Sequence, residues 1–175
     1  MNLANRLTLF RVAMIPVFLV VLYIGFPHSN IVAMIIFILA AITDFADGQI
    51  ARRRNIVTDF GKFLDPIADK VLTFAAMMWF VETGVIPGWV VLIVILREFA
   101  VTALRLIAAS NGGAVIAADL LGKIKTVSTI VVLTAMFLPM TELLNIIGSV
   151  IILITTVVSG VEYFIKNKSV LSGPK

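Results

Sequence analysis

The sequence predicts an all-α integral membrane protein of six transmembrane helices, with a short amphipathic helix lying in the interface ahead of the first span. Three observations predict it. The 175 residues are 61% hydrophobic, with a mean hydropathy of +1.11. Only 14% of them are charged, against about 25% in soluble domains. The apolar residues also fall into six blocks of about 20 residues, the length a helix needs to cross a bilayer. Short gaps separate the blocks and leave no room for a separate soluble module, so residues 1–175 read as one membrane domain.

Taken in order, "NLANRLTLF" alternates Leu3, Leu7 and Phe10 with Asn2, Asn5 and Arg6, a pattern that lays a polar face on lipid headgroups. The first span runs over Leu7–Phe26. A basic stretch before an apolar run has the look of a leader peptide, but no small-residue cleavage pattern follows, so it reads as a membrane helix. The turn "GFPHSN" leads to a span at Ile31–Gln49, "RRRNIVTD" to one at Phe63–Val81, and "ETGVIPGW" to one at Val85–Ser110. "SNGGA" and "LPMTE" bracket the fifth, Thr126–Pro139 with its flanks, and the sixth covers Leu143–Ile165. Each turn holds glycine, proline or small polar residues that break helices.

All fourteen Lys and Arg residues fall on the side of the termini and the second and fourth loops, or on helix ends opening there; the other three loops hold none. By the positive-inside rule both termini then face the cytoplasm. The basic pI of 9.7 is accounted for by loops facing anionic lipid rather than by a nucleic-acid partner. With no cysteine, disulfides and thiolate metal sites are excluded.

Against this background, five of the six aspartates lie between Asp44 and Asp69. Asp44 and Asp47, three apart at the end of the second span, share a face with Gly48 and Ala51. Gly61, Asp65 and Asp69, spaced by four, share a face of the third. A hairpin brings the two faces together at the membrane edge. Four carboxylates there repel by about 1 kcal/mol per pair even in water. Arginine or lysine could neutralise them, but two divalent cations do so compactly, and an oxygen-only ligand set suits Mg²⁺, Ca²⁺ or Mn²⁺ rather than zinc. Gly48 and Gly61 allow close approach by a ligand or by a second helix backbone. Pro66 either loosens the third helix or sits in its first turn. Asp59 complements the dipole at that helix start, where Thr58 also fits an N-cap.

The pattern Asp44-x2-Asp47-Gly48-x2-Ala51-Arg52-x8-Gly61-x3-Asp65-x3-Asp69 resembles, position by position, the signature of the CDP-alcohol phosphatidyltransferase family. The resemblance implies a six-helix membrane enzyme, usually a homodimer, that moves a phosphatidyl group from a CDP-linked lipid to an alcohol and releases CMP. It implies two divalent cations, Mg²⁺ or Mn²⁺, with Asp44 and Asp65 bridging both, Asp47 completing one, and Asp69 binding the other and accepting the proton of the alcohol. It places Gly48, Arg52 and Thr58, with Asn5 and Thr8, on the CDP group.

"NLANRLTLFRV", "ILREFAVTALRLIAAS" and "GKIKTVST" resemble the branch of the family that uses CDP-diacylglycerol and sn-glycerol 3-phosphate. An anionic acceptor needs further cations. Arg105, Lys123 and Lys125 are the candidates for its phosphate, and Arg97 is a lesser one. Loop lysines more often anchor to headgroups, whereas an arginine among apolar neighbours needs a partner. Arg97 and Glu98, adjacent on a helix, are expected to face apart and to find separate partners. Asp119 is expected to pair with Lys123, and His28 to be solvated. Two rivals stand beside this reading. One is the same chemistry with serine, inositol phosphate or a second phosphatidylglycerol as acceptor. The other, from a different class, is a small cation transporter, since carboxylates in membranes often mark ion paths.

Overall fold

The structure, a computed structural model, describes residues 3–54, 59–110 and 119–168, with side chains described over 12–43, 70–108 and 119–168. Among the described residues six α-helices follow one another without a strand: α1 Leu3–Ile24, α2 Ser29–Arg54, α3 Asp59–Glu82, α4 Gly88–Ser110, α5 Leu120–Met136 and α6 Glu142–Lys166. The six expected helices are therefore present. The separate interfacial helix is not, because α1 runs unbroken from Leu3. Nothing between Asn5 and Val12 interrupts helical hydrogen bonding. Pro16, which lacks an N–H, sits inside α1 without ending it, a placement that membrane helices tolerate.

Turns fall where the backbone needs unusual dihedrals. Between α1 and α2, Gly25 has φ +66° and His28 has φ 68°, and the exposed His28 is of a residue type enriched in the left-handed region. After α3, Gly84 has φ +74°. Thr83 closes the end of α3 by donating its hydroxyl to the Trp79 carbonyl at 3.0 Å.

The chain divides into two compact units, one formed by residues 1–83 with 133–140, the other by 84–132 with 141–175. In the first unit α1 packs on α2 and α3. Buried Ile15, Phe18 and Leu22 of α1 meet the stripe Ala33, Phe37 and Ala40 of α2 and the stripe Leu72, Ala76 and Phe80 of α3. These spacings of three and four put each set on one helical face. Phe137 lies at the centre of an aromatic cluster, its ring 4.7 Å from Phe80, 5.9 Å from Phe18 and 6.0 Å from Phe37. Centroid separations of this size suit tilted and edge-on rings. The alanines let the helix backbones approach closely.

In the second unit α4 packs on α6. The buried stripe of α6 is Gly148, Ser149, Ile152, Thr156, Ser159, Gly160 and Tyr163, small or hydroxylated at all but one position. Its opposite face exposes Leu143, Ile147, Ile154, Val158 and Ile165. At 25 residues, α6 is the one helix among the described residues that is long and apolar enough to cross a bilayer. In α4 every 18-residue window contains Arg97, Glu98 and Arg105, and α5 has only 17 residues. The apolar parts of α1 and α2 that are described, Val12–Ile24 and Ser29–Thr43, are shorter.

Candidate active site

The backbone positions of the aspartate motif are helical. Asp44, Asp47, Gly48, Ala51 and Arg52 stand in the last three turns of α2, and Gly61, Asp65 and Asp69 in the first three turns of α3. The two helices are joined through residues 55–58. The helical period puts positions 44 and 47 on one face of α2 and positions 61, 65 and 69 on one face of α3. The α2 helix continues to Arg54, beyond the expected end at Gln49, and α3 starts at Asp59 rather than Phe63. Pro66 therefore lies inside α3, not in its first turn, which settles that alternative.

The side chains of Asp44, Asp47, Gly48, Arg52, Asp65 and Asp69 lie outside the described residues, as do those of Asn5 and Thr8 and all of Thr58. Metal ligation and CDP contacts at these positions remain expectations from the sequence. Among the described residues no three carboxylates or histidines cluster as metal ligands.

The cations expected to hold an acceptor phosphate are in the second unit, and the structure separates them. Lys123 and Lys125, two residues apart on α5, point to different sides; Lys123 is exposed and Lys125 is 7% exposed. Lys125 Nζ donates to Glu98 Oε1 at 2.7 Å, and Arg97 Nη1 donates to the same oxygen at 2.8 Å. Arg97 Nη2 donates to Ser159 Oγ at 3.1 Å, and Ser159 donates to the Thr156 carbonyl, also at 3.1 Å. Four residues from three helices thus form one polar cluster, with the three charged side chains at 9–14% exposure.

This corrects the expectation that Arg97 and Glu98 face apart, although each does have a separate partner, Ser159 for Arg97 and Lys125 for Glu98. Their Cβ atoms do diverge, but the guanidinium lies far enough along its stem to turn back onto the carboxylate. Gly160 makes room for that stem, because a Cβ at this position would stand 3.1 Å from Arg97 Cγ.

One to two turns nearer the ends of α4 and α6, Arg105 Nε donates to the Tyr163 hydroxyl at 3.1 Å, with its guanidinium carbon 5.4 Å from the ring centroid. Val101, Leu104 and Tyr163 form the apolar packing around this contact. Sequence reasoning had not singled out Tyr163, Ser159 or Gly160. The signal was the run of small and polar residues at helical spacing on α6, where an apolar helix would place leucine or isoleucine.

Asp119 also has a different partner from the one expected. Its side chain receives the Lys166 ammonium and the Leu120 amide, the latter at 2.7 Å, while only its backbone carbonyl meets Lys123, through the backbone N–H at 3.1 Å. The Lys166 ammonium first, and then the Leu120 amide, hold the Asp119 carboxyl below its ordinary range. Lys166 also donates to Glu162 at 2.6 Å, so the start of α5 is tied to the end of α6.

The family model for CDP-alcohol phosphatidyltransferases matches residues 1–161. The chain belongs to the CDP-alcohol phosphatidyltransferase family. Among similar curated proteins is the CDP-diacylglycerol–glycerol-3-phosphate 3-phosphatidyltransferase of Bacillus subtilis (strain 168), 42% identical over 95% of each chain. The probable phosphatidylglycerophosphate synthase of Mycobacterium tuberculosis (strain H37Rv) is 41% identical, covering 93% of this chain and 79% of that protein. The Salmonella typhimurium protein with the same name as the Bacillus one is 45% identical over 75% and 74%. The family match covers all eight positions of the aspartate motif and the α4 to α6 polar cluster.

Proposed function

We propose that this phosphatidyltransferase moves the phosphatidyl group of CDP-diacylglycerol to sn-glycerol 3-phosphate, giving phosphatidylglycerophosphate and CMP. The observation that carries this reading is the eight-position acidic motif at fixed spacing on two consecutive helices. The names of the relatives that align along most of the chain support the choice of substrates. Both units are read as one catalytic domain, multi-pass in the cell membrane, with its termini and site on the cytoplasmic side and the protein a homodimer.

A donor set of four carboxylates fits hard divalent cations, Mg²⁺ or Mn²⁺, and Asp44, Asp47, Asp65 and Asp69 would hold two of them. Such a pair, when bound, stabilises the attacking and leaving oxygens of a displacement at phosphorus. The chain's own residues do the rest. Gly48 admits the CDP group close to α2, and Arg52 pairs with its phosphate by a charge-assisted fork. Thr58, Asn5 and Thr8 complete that contact. Asp69 takes the proton of the attacking hydroxyl, and the bond from the lipid-side phosphorus to CMP breaks as the new ester forms.

Arg105, Lys125, Lys123 and, as a lesser candidate, Arg97 serve the acceptor phosphate. Arg105 is suited to it because its partner in the structure is a neutral hydroxyl rather than a carboxylate. A neutral acceptor would not need these cations.

The test is CMP release by the purified protein with Mg²⁺ or Mn²⁺ and a panel of alcohols. Glycerol 3-phosphate is expected to be the only good acceptor. Equal rates with serine or inositol phosphate would reassign the acceptor. Absence of CMP release from any pair would return the transporter reading.

A further inference from the structure

Lys125 occupies an unusual position for a lysine near a helix end. It is the sixth residue of α5, close enough to the end of the helix for its four-carbon stem to reach water, yet it is 7% exposed. A lysine free to do so carries its ammonium to the interface. What keeps it inside is Glu98 Oε1, which accepts from Lys125 at 2.7 Å.

Glu98 is itself held, because Arg97 bonds the same oxygen at 2.8 Å while its other terminal nitrogen bonds Ser159 at 3.1 Å. Gly160 leaves the space that this path of the arginine needs. Arg97 thus has both terminal nitrogens engaged by protein groups. Lys125 uses one of three donors on Glu98 and keeps two for another acceptor. Together Arg97, Glu98 and Lys125 carry one net positive charge, which suits them to an anion.

We infer that Glu98 is a positioning residue for the acceptor: it retains the Lys125 ammonium inside the second unit, where that ammonium binds the phosphate of the incoming alcohol. This rests on the reading of the acceptor as a phosphate ester, and it assigns Arg97 the role of clamping Glu98. Removing the carboxylate leaves two buried cations side by side, and the mobile one moves out.

The experiment compares Glu98→Gln, Glu98→Asp, Lys125→Met and the Glu98→Gln/Lys125→Met double variant in the CMP-release assay, with full-length protein in detergent and Mn²⁺. Glu98→Gln is expected to raise the KM for glycerol 3-phosphate about tenfold, with kcat and the KM for CDP-diacylglycerol within about twofold of the parent. Glu98→Asp is expected to recover part of the loss. The double variant should match Lys125→Met alone, because Glu98 acts through that lysine.

An unchanged glycerol 3-phosphate KM, equal rises in both KM values, or additive effects in the double variant would each overturn the inference. If Glu98→Gln does not fold, Glu98→Asp decides. A severalfold rise confined to the glycerol 3-phosphate KM supports the role, and no rise overturns it. A parent protein inactive with glycerol 3-phosphate is a separate result that removes the functional reading itself.

Discussion

In the first unit α1, α2 and α3 meet through Phe18, Phe37, Phe80 and Phe137 and the small residues Ala33, Ala40 and Ala76. In the second, α4 and α6 meet with Thr156, Ser159 and Gly160 buried, the Arg97 and Glu98 side chains largely so at 13% and 14% exposure, and Lys125 of α5 drawn inside. Both interiors are helical, but the first is filled almost wholly by carbon, whereas the second sets hydrogen-bonding and charged groups among apolar residues such as Val94, Leu104 and Ile152. The difference suits the two tasks proposed for the units. A metal-binding motif needs a rigid helical frame, which an interlocked aromatic core supplies. Selecting an anionic acceptor needs charge held at depth, and that requires a polar interior with its groups tied to one another.

The largest expected effect is on the acidic motif. Asp69→Asn should lower kcat about a thousandfold, the usual scale of a lost general base, while CDP-lipid binding by the purified variant is largely spared. Near-normal turnover would remove Asp69 from that role.

The two interiors should also respond oppositely to core substitutions. Phe137→Ala opens a cavity and should cost about 3–5 kcal/mol in thermal unfolding. Thr156 is fully buried, and among the described residues its hydroxyl has no partner. Thr156→Val should therefore be neutral or stabilising by about 1 kcal/mol. Equal losses in the two variants would erase the contrast.

A smaller effect is expected at Gly160. An alanine there displaces the Arg97 stem and should raise the glycerol 3-phosphate KM about threefold, by the same route as loss of Glu98 but with the charges kept. The smallest belongs to Asp119. Its carboxyl is held low by Lys166, so the tie between α5 and α6 is complete above the ordinary carboxylate range, about pH 4, and is lost as pH falls through the lower folded value. Asp119→Asn should lower the melting temperature slightly at neutral pH and narrow the difference from the parent in acid.

The six helices were legible because apolar blocks of membrane length leave few alternatives. Their ends were less so. Hydropathy stopped the second span at Gln49, yet Asp47, Arg52 and Arg53 are no obstacle to helical hydrogen bonds, and α2 continues to Arg54. The fifth helix begins at Leu120, in the flank expected before Thr126, since Lys123 and Lys125 lower hydropathy without breaking a helix.

The helical placement of the acidic motif, on the end of α2 and the start of α3, was legible from spacing alone. The arrangement of the cations proposed for the acceptor was not, because it depends on tertiary neighbours. Lys125 and Glu98 are 27 residues apart in sequence, and Asp119 and Lys166 are 47 apart. The contact between Arg97 and Glu98 was missed because helix-face arguments locate Cβ atoms, whereas a guanidinium sits at the end of a long stem.

The central claim is that the α2–α3 hairpin fixes the reaction and the polar interior of the second unit fixes the acceptor. The most direct test is the pair of KM values in Arg105→Gln, which removes the cation bonded to Tyr163 and leaves every residue of the hairpin in place. The account predicts a glycerol 3-phosphate KM raised at least about tenfold, the scale of a lost charge-assisted hydrogen bond, with the CDP-diacylglycerol KM within about twofold of the parent. A variant in which both KM values rise together, or in which only the CDP-diacylglycerol KM rises, would contradict it.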